Sequence, residues 1–356
     1  MAESEGPALA GAVVRELVTF ALSPFDLGGV GARLHPASFL VFVAVGIGLY
    51  AAARRRGETA SGSALGFMFP RAIYFSRSSL VDLKVYVASC FIVFDRIGIR
   101  ILSTSAVAAF VSAALIGVFG EASAEPLQGW RLALCFLCVA LAYDFGGYWL
   151  HRMSHEVGVL WPFHKVHHSA EVLTPLTVAR VHPVYGFVTS LFIPLTVGPV
   201  LGVVYALVGE QDAMAITAVG GAYFVFNLAG SNLRHSHLWL SYGPVVSRVL
   251  VSPAMHQIHH SMDARHWNKN YAEIFALWDW MFGTLYVPKE RETLAFGLGR
   301  DETGATIQPH PTLKAALVGP FLEAGAAAAV MIRARLGRVD APSVDEVATR
   351  EGTETR

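Results

Sequence analysis

The stretch DFGGYWLHRMSHEVGVLWPFHKVHHS, residues 144–169, decides how the rest of the chain is read. It begins inside the apolar run 130–150 and ends in five histidines. A membrane span takes about 20 apolar residues, so His151 and His155 stand where such a run leaves the bilayer. Trp161-Pro162 then marks a helix start, with proline suited to the first turn, ahead of His164, His167 and His168. A helix makes about 3.6 residues per turn, so positions i, i+3 and i+4 share a face.

The same construction recurs further on. Ser252-Pro253 precedes His256, His259 and His260, and both HxxHH clusters are followed by serine, Ser169 and Ser261. Eleven of the fourteen histidines lie between His151 and His260. The three clusters supply eight imidazoles, too many for one tetrahedral zinc and suited to two metals with open positions. Imidazoles crowded on one turn have no packing value and repel one another when protonated, so a purely structural role does not account for the set. Imidazole suits iron, copper, zinc and nickel, whereas calcium or magnesium would call for carboxylates.

The remaining candidates are read one by one. A zinc-protease motif needs Glu directly after the first histidine of HxxxH, and Arg152 stands there instead. Asp144, two turns before His151, is placed to orient a ligand through its other ring nitrogen. His235 and His237 are two residues apart and do not share a helix face, so one of them is expected to be a ligand. His182, followed by Pro183, is a candidate ligand or outer partner. His35, His266 and His310 read as surface residues, and Trp161, Phe163, Tyr271 and Trp278 as an interfacial belt or the lining of a lipid access route.

Composition places these clusters in a membrane protein. Hydrophobic residues make up 54% and charged residues 15%, against roughly 25% charged in soluble domains. Net charge is zero, and no basic stripe with interleaved aromatics suggests nucleic acid. Three cysteines cannot build a disulfide framework, and Cys135 and Cys138 read as small buried hydrophobes. Residues 9–22, interrupted by Arg15 and Glu16, suit an interfacial helix better than a cleavable signal.

Spans are expected at 37–53, 101–119, 130–150, 185–208 and 213–230, with 81–99, which carries Asp82, Lys84, Asp95 and Arg96, as a partly interfacial helix or, alternatively, a tilted span. Basic residues crowd the loop 54–100, whereas 120–129 and 209–212 carry acids and no bases. Basic loops face the cytoplasm. Five spans then bring every histidine cluster to the cytoplasmic face. The expected organisation is all-α and polytopic: an N-terminal membrane region 1–129, a catalytic domain 130–300, an amphipathic region 301–332 lying on the membrane, and a disordered tail 333–356.

Taken with WDWMFGTL (278–285) and KNY (269–271), the HxxxH and two HxxHH clusters make the segment 130–300 similar to the fatty acid hydroxylase/sterol desaturase superfamily. YDFGGYWLHRMSH and SPAMHQIHHS resemble its bacterial sterol-desaturase-like branch. The resemblance implies metal ligands at His151, His155, His164, His167, His168, His256, His259 and His260. It favours His235 as the ninth and leaves His237 open; His182, His237 and Asp144 stand as outer partners or further ligands. It further implies two iron ions, O2 as co-substrate, and hydroxylation or desaturation of a sterol, fatty acyl or related lipid, in a bacterial inner membrane. No His-Pro-Gly-Gly signature of a fused cytochrome b5 occurs, so electrons are expected from a separate ferredoxin or cytochrome b5 type donor. The rivals are a carotenoid-type hydroxylase and a non-catalytic zinc transporter or sensor. A transporter would bury its ion near the bilayer midplane, and no expected span interior carries a histidine.

Overall fold

The computed structural model describes residues 36–59, 61–92, 94–121, 129–208 and 233–336. The expected helix 9–22, the span 213–230, the turn 209–212, His35, most of the loop 120–129 and the tail beyond Leu336 lie outside them. The longer helices are α1 (Pro36–Arg56), α2 (Arg77–Phe91), α3 (Phe94–Ile101), α4 (Thr104–Phe119), α5 (Trp130–Glu156), α6 (Trp161–His168), α7 (Pro183–Val208), α8 (Pro253–His259), α9 (Leu277–Met281) and α10 (Leu313–Arg335). The fold is helical. Among the described residues the only β pairings are isolated bridges, such as Leu250 with Phe275.

Among the described residues, four segments are long and apolar enough to cross a membrane: Arg77–Phe119, built from α2, α3 and α4, then Ala133–Glu156, Pro183–Leu207 and Leu313–Arg335. Serine and threonine hydroxyls set several starts: Ser76 accepts from Ser79 N, Ser103 from Ala106 N and Thr312 from Ala315 N. The helix α7 is the hub, packing against α3, α4 and α5. Its glycines permit the approach. A Cβ on Gly202 would stand 2.7 Å from the Ala108 carbonyl oxygen, and one on Gly198 2.6 Å from Val107 Cβ. Small residues bring membrane helices close enough for dispersion to hold them.

Three local readings change. One of the four charged residues behind the interfacial reading of 81–99, Asp82, does not face lipid or water: it is wholly buried in an ion pair with Arg180 at 3.0 Å. The region 312–332, expected on the membrane surface, forms a helix of spanning length docked on α6. There Lys165 pairs with Glu323 at 2.5 Å and the Phe163 and Phe321 rings lie 5.3 Å apart. Cys138 is exposed on α5 and Cys135 half-buried, so only Cys90 behaves as a buried thiol. The histidine clusters gather at the C-terminal end of α5, in α6 and around α8, with Tyr185 at the start of α7 bordering them.

Candidate metal centre

Two groups of histidines converge, each with its ligand-capable atoms within 4.8 Å of one another: His151, His155, His164, His168 and His259 in the first, His167, His235, His256 and His260 in the second. All nine expected ligand positions are there. The two HxxHH clusters do not each serve one group. In α6, His164 and His168 turn to the first and His167 to the second; around α8, His256 and His260 turn to the second and His259 to the first. Helical geometry explains the split. Steps of three and four residues diverge by about 100° around the axis, so i and i+4 stay together while i+3 reaches a neighbouring point. The repeated motif is thus a crossed pair, and its rings form the shared wall, His168 stacking on His260 at 4.5 Å.

The donor set fits metal ions. Nε2 atoms approach to 3.2 Å for His164–His168, 3.2 Å for His168–His259, 3.1 Å for His167–His235, 3.0 Å for His235–His256 and 3.2 Å for His256–His260. Metal–nitrogen bonds of about 2.0–2.1 Å put neighbouring ligand nitrogens about 2.9–3.4 Å apart in octahedral to tetrahedral coordination. His259 Nδ1 donates to Lys269 O and His151 Nδ1 to Tyr271 O, both at 2.8 Å, which fixes each tautomer and leaves the lone pair on Nε2. His155 Nε2 is buried without a hydrogen-bond partner. Burial first, and neighbouring imidazoles second, hold His164, His168, His256 and His260 well below the usual histidine range; burial and His151 do the same for His259. Neutral rings with converging lone pairs are the metal-binding form.

Tight local structure holds the carbonyls that orient these rings. Asn268 and Asn270 adopt left-handed backbone, φ 57° and 56°, conformations that asparagine tolerates better than most residues. The Asn270 side chain donates to Met255 O and Tyr286 O and accepts from Tyr286 N. Asp279 accepts from Tyr271 N, Ala272 N and Thr284 Oγ1, and burial pushes its carboxyl above the usual range. Asp144 does not touch a histidine as expected. It accepts from Ile274 N, Phe275 N and Trp278 Nε1, steadying the segment that follows Tyr271. Arg180 closes the end of α6. It is wholly buried and donates to Val166 O, Ser169 Oγ and Asp82 Oδ1 at 2.8, 2.8 and 3.0 Å. A cation at a helix C-terminus is favoured by the helix dipole.

The other candidates fall outside both groups. His237 Nε2 donates to Phe67 O at 2.9 Å, tying the centre to the chain after α1. Both nitrogens of His182 are used, Nδ1 by Val184 N and Nε2 by Leu317 O, each at 3.1 Å. His266 and His310 are not surface residues: both are 1% exposed, the first 3.1 Å from Glu292, the second 3.1 Å from Ser169 Oγ. Their isolation in the sequence hid partners brought by the fold. A cavity of about 80 Å³ opens between the two groups, walled by His151, His164, His167, His235 and His256 and by Val178, Val181, Tyr185, Arg234 and Glu273. None of the four aromatics expected along an access route lines it. Tyr185, at the start of α7, does, stacked on His164 at 5.0 Å.

Fold and site together give a helical protein with candidate membrane spans and two adjacent all-imidazole groups, each able to hold a metal ion. Residues 136–284 match the fatty acid hydroxylase family model. It is 32% identical over 170 residues to an alkylglycerol monooxygenase of Danio rerio, covering 48% of this chain and 34% of that protein. An ornithine lipid hydroxylase of Rhizobium tropici is 29% identical over 175 residues, with 48% and 47% covered, and a Delta(7)-sterol 5(6)-desaturase of Eremothecium gossypii 30% over 172, with 48% and 43%. The chain therefore spans between a third and a half of the length of these relatives. No solved structure matches it.

Proposed function

We propose that the nine histidines hold two iron ions and that the protein is an O2-dependent oxidoreductase of lipid C–H bonds. The observation that carries this reading is the pair of imidazole groups sharing one wall and opening on one cavity. Nitrogen donors also suit zinc, but oxidising an unactivated C–H requires a redox-active metal. The activities named for the relatives, an alkylglycerol monooxygenase, an ornithine lipid hydroxylase and a sterol desaturase, support the substrate class. Hydroxylation consumes R–H, O2, two electrons and two protons and yields R–OH and water; desaturation removes a second hydrogen and yields an alkene and two waters. Bound iron would supply the reduction of O2, with electrons from a separate ferredoxin or cytochrome b5 type donor.

The chain's own residues hold and shield. Lys269 O and Tyr271 O aim His259 and His151, Arg180 and Asp279 fix the backbones behind them, and burial of the rings excludes bulk water. Because the cavity lies at the start of α7, a lipid need not leave the bilayer to reach it. The arginines Arg54, Arg55 and Arg56 at the end of α1 favour the cytoplasmic face for the centre, in keeping with the inner-membrane location proposed from the resemblance. The test is elemental analysis and O2 uptake of protein purified from iron-replete cells, given lipid extract and a reductant. Bound iron with lipid-dependent O2 uptake is expected. Zinc alone, with no uptake after iron loading, would remove the reading.

A further inference from the structure

We infer that α9 and the turn Gly243–Val246 form a wedge sunk into the lipid leaflet on the side of the histidine centre, resting among the headgroups and the first acyl carbons. The inference takes α5 as a membrane span and is independent of the metal. Depth is the first observation. Asp144 accepts from Ile274 N and Phe275 N, Trp278 packs on Phe145 at 5.1 Å, and Phe282 packs on Trp149 at 5.0 Å. The chain 274–282 therefore runs alongside α5 from Asp144 to Trp149. At about 1.5 Å per residue, Asp144 lies about 10 Å further into the span than His151, which is the depth an interfacial helix reaches. Trp130, 71% exposed, stands at the other end of α5. From Trp130 to Trp149 the helix rises about 28 Å. That is close to a hydrocarbon core of about 30 Å, and tryptophans favour both of its borders.

The second observation is what the segment shows outwards. Leu277, Trp280 and Met281 are 37%, 69% and 54% exposed, and Val245, Val246 and Val249 are 76%, 47% and 61% exposed. The two rows are neighbours, because Ala276 N donates to Val249 O and Leu250 pairs with Phe275. An apolar patch of this kind marks a membrane or protein contact. Its depth beside α5 favours lipid, as does the exposed Arg248 within it, since an arginine lays its stem on apolar surface and keeps its guanidinium among headgroups. The third observation is the backbone. Irregular chain at membrane depth survives only where its polar groups are paired. Asp144 takes two of them, Val251 N donates to Ile274 O at 2.8 Å, and Trp280 N donates to Ala276 O at 3.0 Å. A buried carboxylate within a span thus supplies the acceptor that lets a loop dip beside it. Ile274 closely follows Lys269 and Tyr271, so the wedge sets the height of the carbonyls that aim His259 and His151.

The test uses the full-length protein in nanodiscs of phosphatidylcholine and phosphatidylglycerol. With Cys90, Cys135 and Cys138 replaced by Ala, a bimane label is attached at Val249→Cys, Leu277→Cys or Trp280→Cys. Glu302→Cys, exposed in a polar turn, is the aqueous control, and protein keeping only its native Cys138, exposed on α5, is the lipid control. Emission is read with lipids carrying a doxyl quencher near the headgroup end or the methyl end of the acyl chain, and with aqueous iodide. Each wedge label should be quenched at least about twofold more by the shallow doxyl than by the deep one, and at least about twofold less by iodide than the Glu302 label. Iodide quenching equal to that at Glu302 would overturn the inference. So would shielding from both iodide and doxyl lipid, which would put a protein surface on the patch. A Cys138 label that no doxyl lipid quenches would overturn the span reading of α5 itself, and the wedge with it.

Discussion

The two histidine groups draw on the same crossed HxxHH motifs yet are built differently. In the first, the rings of His151 and His259 are tied to backbone carbonyls at 2.8 Å, and the Trp161 and Tyr271 rings cover His155 at 5.0 and 5.1 Å. In the second, three of four members, His167, His235 and His256, line the cavity, against two of five in the first. One group is held and covered; the other is reached. The difference comes from what surrounds the motif: the turn Asn268–Tyr271 and the end of α5 enclose the first, whereas the second borders open space.

The largest effects should come from the shared wall. His168→Ala and His260→Ala each remove an inward nitrogen, and activity should vanish with a loss of bound metal, read by elemental analysis and turnover. His235→Ala should do the same at the open group, whereas His237→Asn should keep its metal, because His237 reaches Phe67 O instead. A metal-replete His235→Ala would break the comparison. Next comes the support of α6. Arg180→Met leaves the wholly buried Asp82 without its cation, and stranding one partner of such a pair costs about 3–5 kcal/mol. The thermal midpoint should fall, and Asp82→Asn together with Arg180→Met should be less damaging than Arg180→Met alone.

A smaller effect separates the groups more finely. Asn270→Ala loosens the left-handed turn that presents Lys269 O and Tyr271 O, and loss of such outer partners typically costs 10–100-fold in metal affinity. The first group should lose metal to a chelator faster while the second is unchanged. The smallest effect involves His310, whose pKa burial and then the nearby Lys165 and Arg180 charges lower to about 3. Its unfolded counterpart titrates near the ordinary 6.5, so the unfolded chain gains the proton first as pH falls. Stability should be complete above about pH 6.5 and decline towards pH 3. His310→Gln should flatten that slope in denaturation measured across the range, and an unchanged slope would remove His310 from the account.

Much of this was legible in the chain. The length of the apolar runs 101–119, 130–150 and 185–208 marks the helices 104–119, 130–156 and 183–208, and HxxxH with two HxxHH clusters marks eight of the nine converging rings. Local spacing carries that information because each helix fixes its own face. What escaped the sequence is long-range pairing. Asp82 meets Arg180 across 98 residues, Asp144 meets Ile274 across 130, and His310 meets Ser169 across 141. Each looks like an isolated charge or a surface histidine until the fold supplies its partner. Spacing also left open that an i+3 histidine parts company with i and i+4, which is why each HxxHH serves two groups.

The central claim is that two adjacent histidine groups each hold one iron. Its most direct test is the iron content per chain of the purified protein, beside that of His155→Ala, which touches only the first group, and His256→Ala, which touches only the second. The account predicts two irons in the parent and one retained in each variant, with O2 uptake lost in both. A single ion in the parent, or a parent and variants with equal metal content, would contradict it.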